Sequence, residues 1–262
     1  MRVAFWNVNM GKSSQQQKKN AFLAWVEEIQ PEILILEELS STLAQFNDIG
    51  LFNGTGTCPQ YRMLGGYVNT LDRNGASSTK CLCALKHPNY QPVSIAVRGM
   101  RFHGLDQRRM LIKVTCGNIS VWGIHANASN RGGNAATDAV KTFLNTMTGK
   151  NTVVGGDFNL PIQNSIEKAL DVVAPLSHQN TPLNFTQWNS LGDNLITSPT
   201  LKDQFHLTRR GFITTLNPNA VIDYVAHGNN RTVIALDNCT TENTWMNILI
   251  NFDHCPVYYN IT

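Results

Sequence analysis

A chain of 262 residues, 42% hydrophobic and only 15% charged, can bury a substantial core and is too apolar to stay disordered. Its densest apolar stretch, Ile33-Leu34-Ile35-Leu36, is strand-sized, far from the ~18 residues that a membrane span requires. Net charge is only +3, yet Arg98, Arg101, Arg108, Arg109 and Lys113 stand close together with Asp106 the only acid among them; this patch suits a polyanion if it lies beside the site, and is otherwise a solvated face.

Residues 3 to 8 read as a first strand ending at Trp6-Asn7, followed by a polar loop through Lys19. Met1 opens directly onto this strand without a charged-then-apolar leader, which points to a cytosolic protein or to a mature form with a start methionine added. Phe22, Trp25, Val26 and Ile29 recur at helical spacing, and Pro31 stops that helix. Ile33 to Leu36 form a buried strand with Glu37-Glu38 at its end. Residues 50 to 80, rich in Gly, Asn, Thr and Ser, read as long loops around a short strand near Tyr67. Cys81 to Leu85, Val93 to Val97, Met110 to Thr115 and Ile119 to Ile124 alternate, and turn signals such as Gly117-Asn118 predict antiparallel strands. The last of them runs into His125-Ala126-Asn127-Ala128. A turn at Arg131-Gly132-Gly133 then leads to a helix with Ala136, Val140, Phe143, Leu144 and Met147 on its apolar face.

Val153-Val154-Gly155-Gly156-Asp157-Phe158-Asn159 organises the chain. A β-branched run that stops at two glycines delivers a carboxylate and an amide to the C-terminal edge of a sheet, where open α/β folds build their sites. The glycines let a ligand or another backbone come close. Asp157 and Asn159, two apart on what is nearly a strand, share a side. Asp-x-Asn after a strand also reads as a turn that hydrogen-bonds itself.

A helix is predicted from about Gln163 to Val173, followed by a polar region from Ser177 to Arg210 anchored by Phe185, Trp188 and Phe205. Val221 to Val225 is a buried strand with Asp223 in its middle, and a carboxylate buried there requires a partner. Ile248-Leu249-Ile250 runs to Asn251-Phe252-Asp253-His254, and Pro256 to Ile261 form the last strand. No internal repeat or linker interrupts the order, so residues 1–262 read as one α/β domain of two packed sheets.

Cys58, Cys81, Cys83, Cys116, Cys239 and Cys255 lack zinc-ligand spacing, which leaves buried free thiols or, in a secreted protein, one to three disulfides. Seven Asn-x-Ser/Thr sequons, at Asn53, Asn118, Asn127, Asn184, Asn230, Asn238 and Asn260, lean slightly towards secretion.

Asn7, Glu38, His125, Asp157, Asn159, Asp223, Asp253 and His254 all fall at or near predicted strand ends. Hydrolysis of a phosphate ester requires a hard cation, for which carboxylates such as Glu38 are natural ligands. It also requires a base to activate water and an acid for the leaving oxygen, roles suited to histidines held by carboxylates. Amides such as Asn7 and Asn159 orient phosphate oxygens without adding repulsive charge.

Trp6-Asn7, Glu37-Glu38, His125-Ala126, Gly156-Asp157-Phe158-Asn159, Ile222-Asp223-Tyr224 and Asp253-His254 occur in the order found in the endonuclease/exonuclease/phosphatase superfamily, the deoxyribonuclease I-like proteins, which the chain resembles over nearly its whole length. Within it the chain looks most like the catalytic B subunit of cytolethal distending toxins, through Pro31 to Glu38, the His125 motif with its Gly-Gly turn, and Gly156 to Asn159 followed by Pro161. The resemblance implies a four-layer α/β sandwich of two mixed, mostly antiparallel sheets flanked by helices. It implies a Mg²⁺ site, with Mn²⁺ or Ca²⁺ able to substitute, in which Glu38 is the ligand with Asp253 and Asn7 nearby. By the same resemblance His125 and His254 are the acid/base pair, Asp223 orients His254, and Asp157 and Asn159 position nucleophile and phosphate. Arg109 fits the spacing of a phosphate-binding arginine better than Arg108, since a one-residue shift turns the side chain to the opposite face. Thr215 resembles a phosphate-contacting threonine.

The implied activity is nicking of DNA by the active subunit of a genotoxin, secreted and bound for a host nucleus, with delivery or binding subunits as partners. A phosphoinositide phosphatase or sphingomyelinase on the same site is the alternative, and a non-catalytic partner in a toxin complex the third reading. Four departures from the family pattern stand out. Glu37 replaces a glutamine, Phe252 a serine and Leu160 a basic residue, and residues 177 to 210 read as an insertion. A glycan on Asn127 would crowd His125, so an active enzyme is expected to be unmodified there.

Overall fold

A computed structural model of the chain describes residues 1–8, 16–40, 61–68, 80–87, 89–91, 95–101, 110–126, 151–159, 171–173, 223–227, 231–236, 241, 244, 247–248, 251–252 and 254–262. Two six-stranded sheets and one long helix account for most of them. In chain order the elements are β1 (Arg2–Asn7), α1 (Gln16–Ile29), β2 (Ile33–Ser40), β3 (Arg62–Val68), β4 (Lys80–Lys86), β5 (Ile95–Arg101), β6 (Met110–Cys116), β7 (Ile119–His125), β8 (Thr152–Asp157), β9 (Asp171–Val173), β10 (Asp223–His227), β11 (Val233–Ala235) and β12 (Val257–Ile261).

Strand periodicity sets which core each residue enters. On β1, Ala4 and Trp6 point to a layer shared with Phe22, Trp25, Val26 and Ile29 of α1, while Val3 and Phe5 point the other way, between the sheets. On β2, Leu34 and Leu36 join the helix layer and Ile33 and Ile35 the inter-sheet layer. Both strands are therefore apolar on both faces, and each of the larger aliphatic or Phe side chains contributes about 1.5–3 kcal/mol on burial. α1 crosses over between the parallel strands β1 and β2, and Gln30, at φ 48°, closes it with an N–H to the Val26 carbonyl before Pro31. It begins at Gln16, inside the stretch predicted as loop, because Gln16 to Lys19 are good helix formers.

The first sheet has the order β11-β12-β1-β2-β4-β3 and the second β5-β6-β7-β8-β10-β9. Each is antiparallel except for one central parallel pair, β1–β2 in the first and β7–β8 in the second. The result is the expected α/β sandwich of two mixed sheets, with α1 covering the outer face of the first. The alternating strands predicted between residues 81 and 124 do pair antiparallel, but β4 belongs to the first sheet and β5, β6 and β7 to the second.

Other expectations change at their edges. β5 starts at Ile95, two residues late; Asp171–Val173, predicted as the end of a helix, is strand β9 on the edge beside β10. β11, only three residues long, carries too little periodicity to be read in advance. Asp223 opens β10 and does not sit in mid-strand. The predicted helix over residues 136 to 147, the anchors Phe185, Trp188 and Phe205, and the insertion at 177 to 210 lie outside the described residues. No described helix is long and apolar enough to cross a membrane.

Candidate active site

The two parallel pairs end at the same edge of the sandwich. Asn7 is level with Glu37 at the end of the first pair, and His125 with Asp157 at the end of the second. β10 runs antiparallel to β8, so its first residue, Asp223, stands opposite Asp157. β12 runs antiparallel to β1, which brings His254, three residues before it, to the same edge. Side chains from positions 7 to 254 thus converge although no two of the strands that carry them share a local motif.

Two backbone devices complete the convergence. Continuing the alternation of β2, Glu37 falls on the inter-sheet face with Ile33 and Ile35, and Glu38 would fall on the helix side. The pairing with β4 slips between Leu36 and Leu39, and Glu38 adopts φ 53°, a left-handed conformation that is strained for a side-chain-bearing residue. This bulge turns Glu38 so that its Oε1 lies 3.2 Å from His125 Nε2. The second device is the Gly155-Gly156 pair. A Cβ on Gly155 would sit 2.5 Å from the ring of Phe5, and one on Gly156 would collide with Glu37 Oε1 and the Ile124 carbonyl. The glycines therefore admit side chains of the facing sheet, and not a ligand.

Asp157 is the centre of the arrangement and is almost fully buried. Its Oδ2 accepts a hydrogen bond from Asn7 Nδ2 at 3.0 Å and lies 3.7 Å from His125 Nε2 and 3.8 Å from His254 Nε2. Its backbone N–H donates to both carboxylate oxygens of Glu37, each at 3.2 Å. Burial pushes the Asp157 carboxyl up to about 7; His254 opposes the rise and Asp223 adds to it. Burial also holds the wholly enclosed Glu37 well above the usual carboxylate range, with Asp157 and Asp223 adding repulsion. Glu37 and Asp157 thus behave as two buried acids that resist being charged together.

His254 Nδ1 lies 2.8 Å from Asp223 Oδ2, which supplies the partner expected for that acid. The contact selects the tautomer with the proton on Nδ1 and leaves the Nε2 lone pair facing Asp157. His125 Nε2 lies 3.2 Å from Glu38 Oε1, an acceptor with no counterpart at His254 Nε2, and this contact favours a proton on that nitrogen. The site therefore presents one imidazole suited to accept a proton and one suited to give it.

Asn159 departs from the expected geometry. β8 ends at Asp157, Asn159 takes φ 48°, and its N–H donates to Asp157 Oδ1 at 2.8 Å, so Asp-x-Asn does make the self-bonded turn. Its Nδ2 donates to the Ala126 carbonyl at 2.9 Å, tying the end of β7 to the end of β8. Arg109, Thr215 and Asp253 lie outside the described residues, as do Arg108 and Leu160. Of the basic patch, Lys113 lies on the outer face of the second sheet, its Nζ 5.3 Å over the Trp122 ring, and Arg98 is its cross-strand neighbour. Lys113 therefore faces away from the inter-sheet side on which the acids lie.

Ligand atoms of Asp157, Asp223 and His254 all lie within 4.8 Å of one another. With Glu38 against His125 and Asn7 against Asp157, the donors are mostly oxygen and carry several negative charges, a set that fits a hard divalent cation. Described thiols do not take part: Cys83, Cys116 and Cys255 are thiols buried in the two cores.

A two-sheet α/β sandwich with an acidic cluster and two imidazoles at one edge is the framework of a family of nucleases and phosphatases. Residues 4–235 match the Endonuclease/Exonuclease/phosphatase family, and the chain belongs to it. Solved structures with this fold include the catalytic domain of human Nocturnin with bound sulfate, at TM-score 0.57 and 14% identity over 100% of this chain and 94% of that one. Others are Danio rerio TDP2 complexed with a single-strand DNA product, at 0.56 and 12% over 100% and 98%, and the 3'-5' exonuclease of Neisseria meningitidis, at 0.53 and 13% over 99% of each. At these identities the likeness is one of fold. No curated protein matches the chain.

Proposed function

We propose that this chain is a divalent-metal-dependent phosphodiester hydrolase that nicks DNA, using Mg²⁺. The observation that carries the reading is the placement of Asp157 Oδ2 between two imidazoles, 3.7 Å from His125 Nε2 and 3.8 Å from His254 Nε2, with Asp223 fixing the tautomer of the second. His254, its Nδ1 proton held by Asp223, takes a proton from water at Nε2; His125 gives its Nε2 proton to the leaving oxygen. Asn7 and the Asn159 turn hold Asp157 in place, and Arg109 and Thr215 bind the phosphate. Glu38 and Asp253 hold the metal, which when bound neutralises phosphate charge and makes water easier to ionise.

Support for DNA as substrate comes from the residue-by-residue resemblance to toxin nucleases and from the DNA product bound to the related D. rerio protein. The same resemblance supports a secreted, single-domain active subunit carried by delivery partners. Supercoiled plasmid incubated with the protein in Mg²⁺ and in EDTA tests the reading, with phosphate release from phosphoinositide measured in parallel. Nicking in Mg²⁺ that stops in EDTA is expected. An intact plasmid in both, with phosphate released from lipid, overturns the assignment to DNA.

A further inference from the structure

His254 lies at a bend between the helical residue Asn251 and β12, outside both helix and strand, so something other than regular backbone pairing must hold it. The Asp223 contact fixes only its ring. Trp6 Nε1 donates to the His254 backbone carbonyl at 2.9 Å, a buried bond across 248 residues of sequence. The Phe252 ring lies 4.5 Å from the Trp6 ring, and Lys18 Nζ of α1 stands 5.0 Å from the Phe252 centroid. Trp25 and Phe22 close the other sides of the indole at 5.0 and 5.3 Å. Because β1 alternates, Trp6 reaches His254 on the helix side while its neighbour Asn7 reaches Asp157 on the inter-sheet side. Consecutive residues of one strand thus hold, from opposite faces, the two groups whose polar atoms stand 3.8 Å apart.

We infer that Trp6 is a positioning residue for His254, acting through the His254 carbonyl, and that Phe252, where the family pattern has serine, clamps the indole in that role. The inference rests on His254 being the proton acceptor of the proposed reaction. An indole buried among Phe22, Trp25 and Phe252 has no freedom to follow a moving loop, so its N–H defines one height for the His254 backbone. Without that donor the buried carbonyl must turn towards another, and the imidazole turns with it.

The test compares Trp6→Phe, which keeps a ring and removes the N–H, with Trp25→Phe in the same cluster. Plasmid nicking in Mg²⁺ gives kcat and KM, and NMR of protein carrying ¹⁵N-histidine follows the His254 Nδ1 proton. Trp6→Phe is expected to lower kcat roughly ten- to a hundredfold, the scale of a small misplacement, with KM within about twofold and the His254 resonance shifted. Trp25→Phe should leave both within about twofold and unshifted. Equal effects of the two substitutions on kcat and on the resonance overturn the inference, since packing alone would then account for Trp6. If the unsubstituted protein nicks nothing while the resonance moves only in Trp6→Phe, the functional reading fails and the positioning stands. Should Trp6→Phe not fold, Phe252→Leu retains the N–H and loosens its clamp; an unmoved His254 resonance there overturns the inference.

Discussion

The two sheets reach the active edge by the same plan, a central parallel pair with antiparallel neighbours, yet they contribute opposite things to the space between them. The first sheet supplies bulk: Phe5, Ile35 and Glu37 project across the gap. The second supplies room, since a Cβ on Gly123 would meet Ile35 Cγ2 at 2.5 Å, one on Gly155 the Phe5 ring, and one on Gly156 Glu37. Close approach of the sheets at this end is what allows Asn7 of one to bond Asp157 of the other. The geometry of the candidate site is thus set by glycines that carry no chemistry themselves.

The comparison can be broken most sharply at the imidazoles. His254→Ala or His125→Ala is expected to lower plasmid nicking by ~10²–10⁴, as loss of a general acid or base does, while urea midpoints stay near that of the parent. Full activity in either variant would remove that histidine from the mechanism. Next come the glycines. Gly156→Ala should destabilise by about 1–3 kcal/mol in urea unfolding, because φ 130° and the Ile124 carbonyl leave the methyl no place. Gly155→Ala should cost about the same through overpacking against Phe5. Phe5→Leu should recover part of the loss from Gly155→Ala and none of that from Gly156→Ala, since Phe5 obstructs only the first of the two added methyls.

A smaller effect concerns pH. Both Glu37 and Asp157 are raised above their ordinary values, Asp157 to about 7, so the folded protein binds more protons than the unfolded chain between about pH 4 and 7. Stability from these two groups is greatest below the unfolded pKa values and falls as pH rises through that window. Urea midpoints measured in EDTA should therefore decline from pH 4 towards 7, and Glu37→Gln, which presents a neutral oxygen to the Asp157 N–H, should flatten the decline. Mg²⁺ at pH 7 should restore stability by favouring ionised Asp157. The least change is expected from Lys113→Ala, whose side chain lies over Trp122 on the outer face; nicking should remain within about twofold.

Most of the fold was legible in residue order. Apolar runs with their closing acids, the 3.6 spacing of Phe22, Trp25, Val26 and Ile29, and the alternation through Met110 to Ile124 mark the elements because each is a local pattern. Asp157 and His125 could be placed at strand ends for the same reason, Asp223 was read two residues too deep in its strand, and the family pattern gathered them with Asn7, Glu38 and His254. What it left open was how neighbours in sequence part company. Glu37 and Glu38 are alike as letters, and only the bulge at φ 53° sends one to the Asp157 N–H and the other to His125.

The chain by itself determined which segments are strand or helix and which side chains could do acid, base or ligand chemistry, since periodicity and functional groups are properties of short stretches. Tertiary structure alone decided that Asn159 bonds Ala126, that Trp6 holds the His254 carbonyl, and that burial lifts Asp157 to about 7. Those facts depend on which segments meet in three dimensions, up to 248 positions apart in sequence for Trp6 and His254, and no local pattern encodes such meetings.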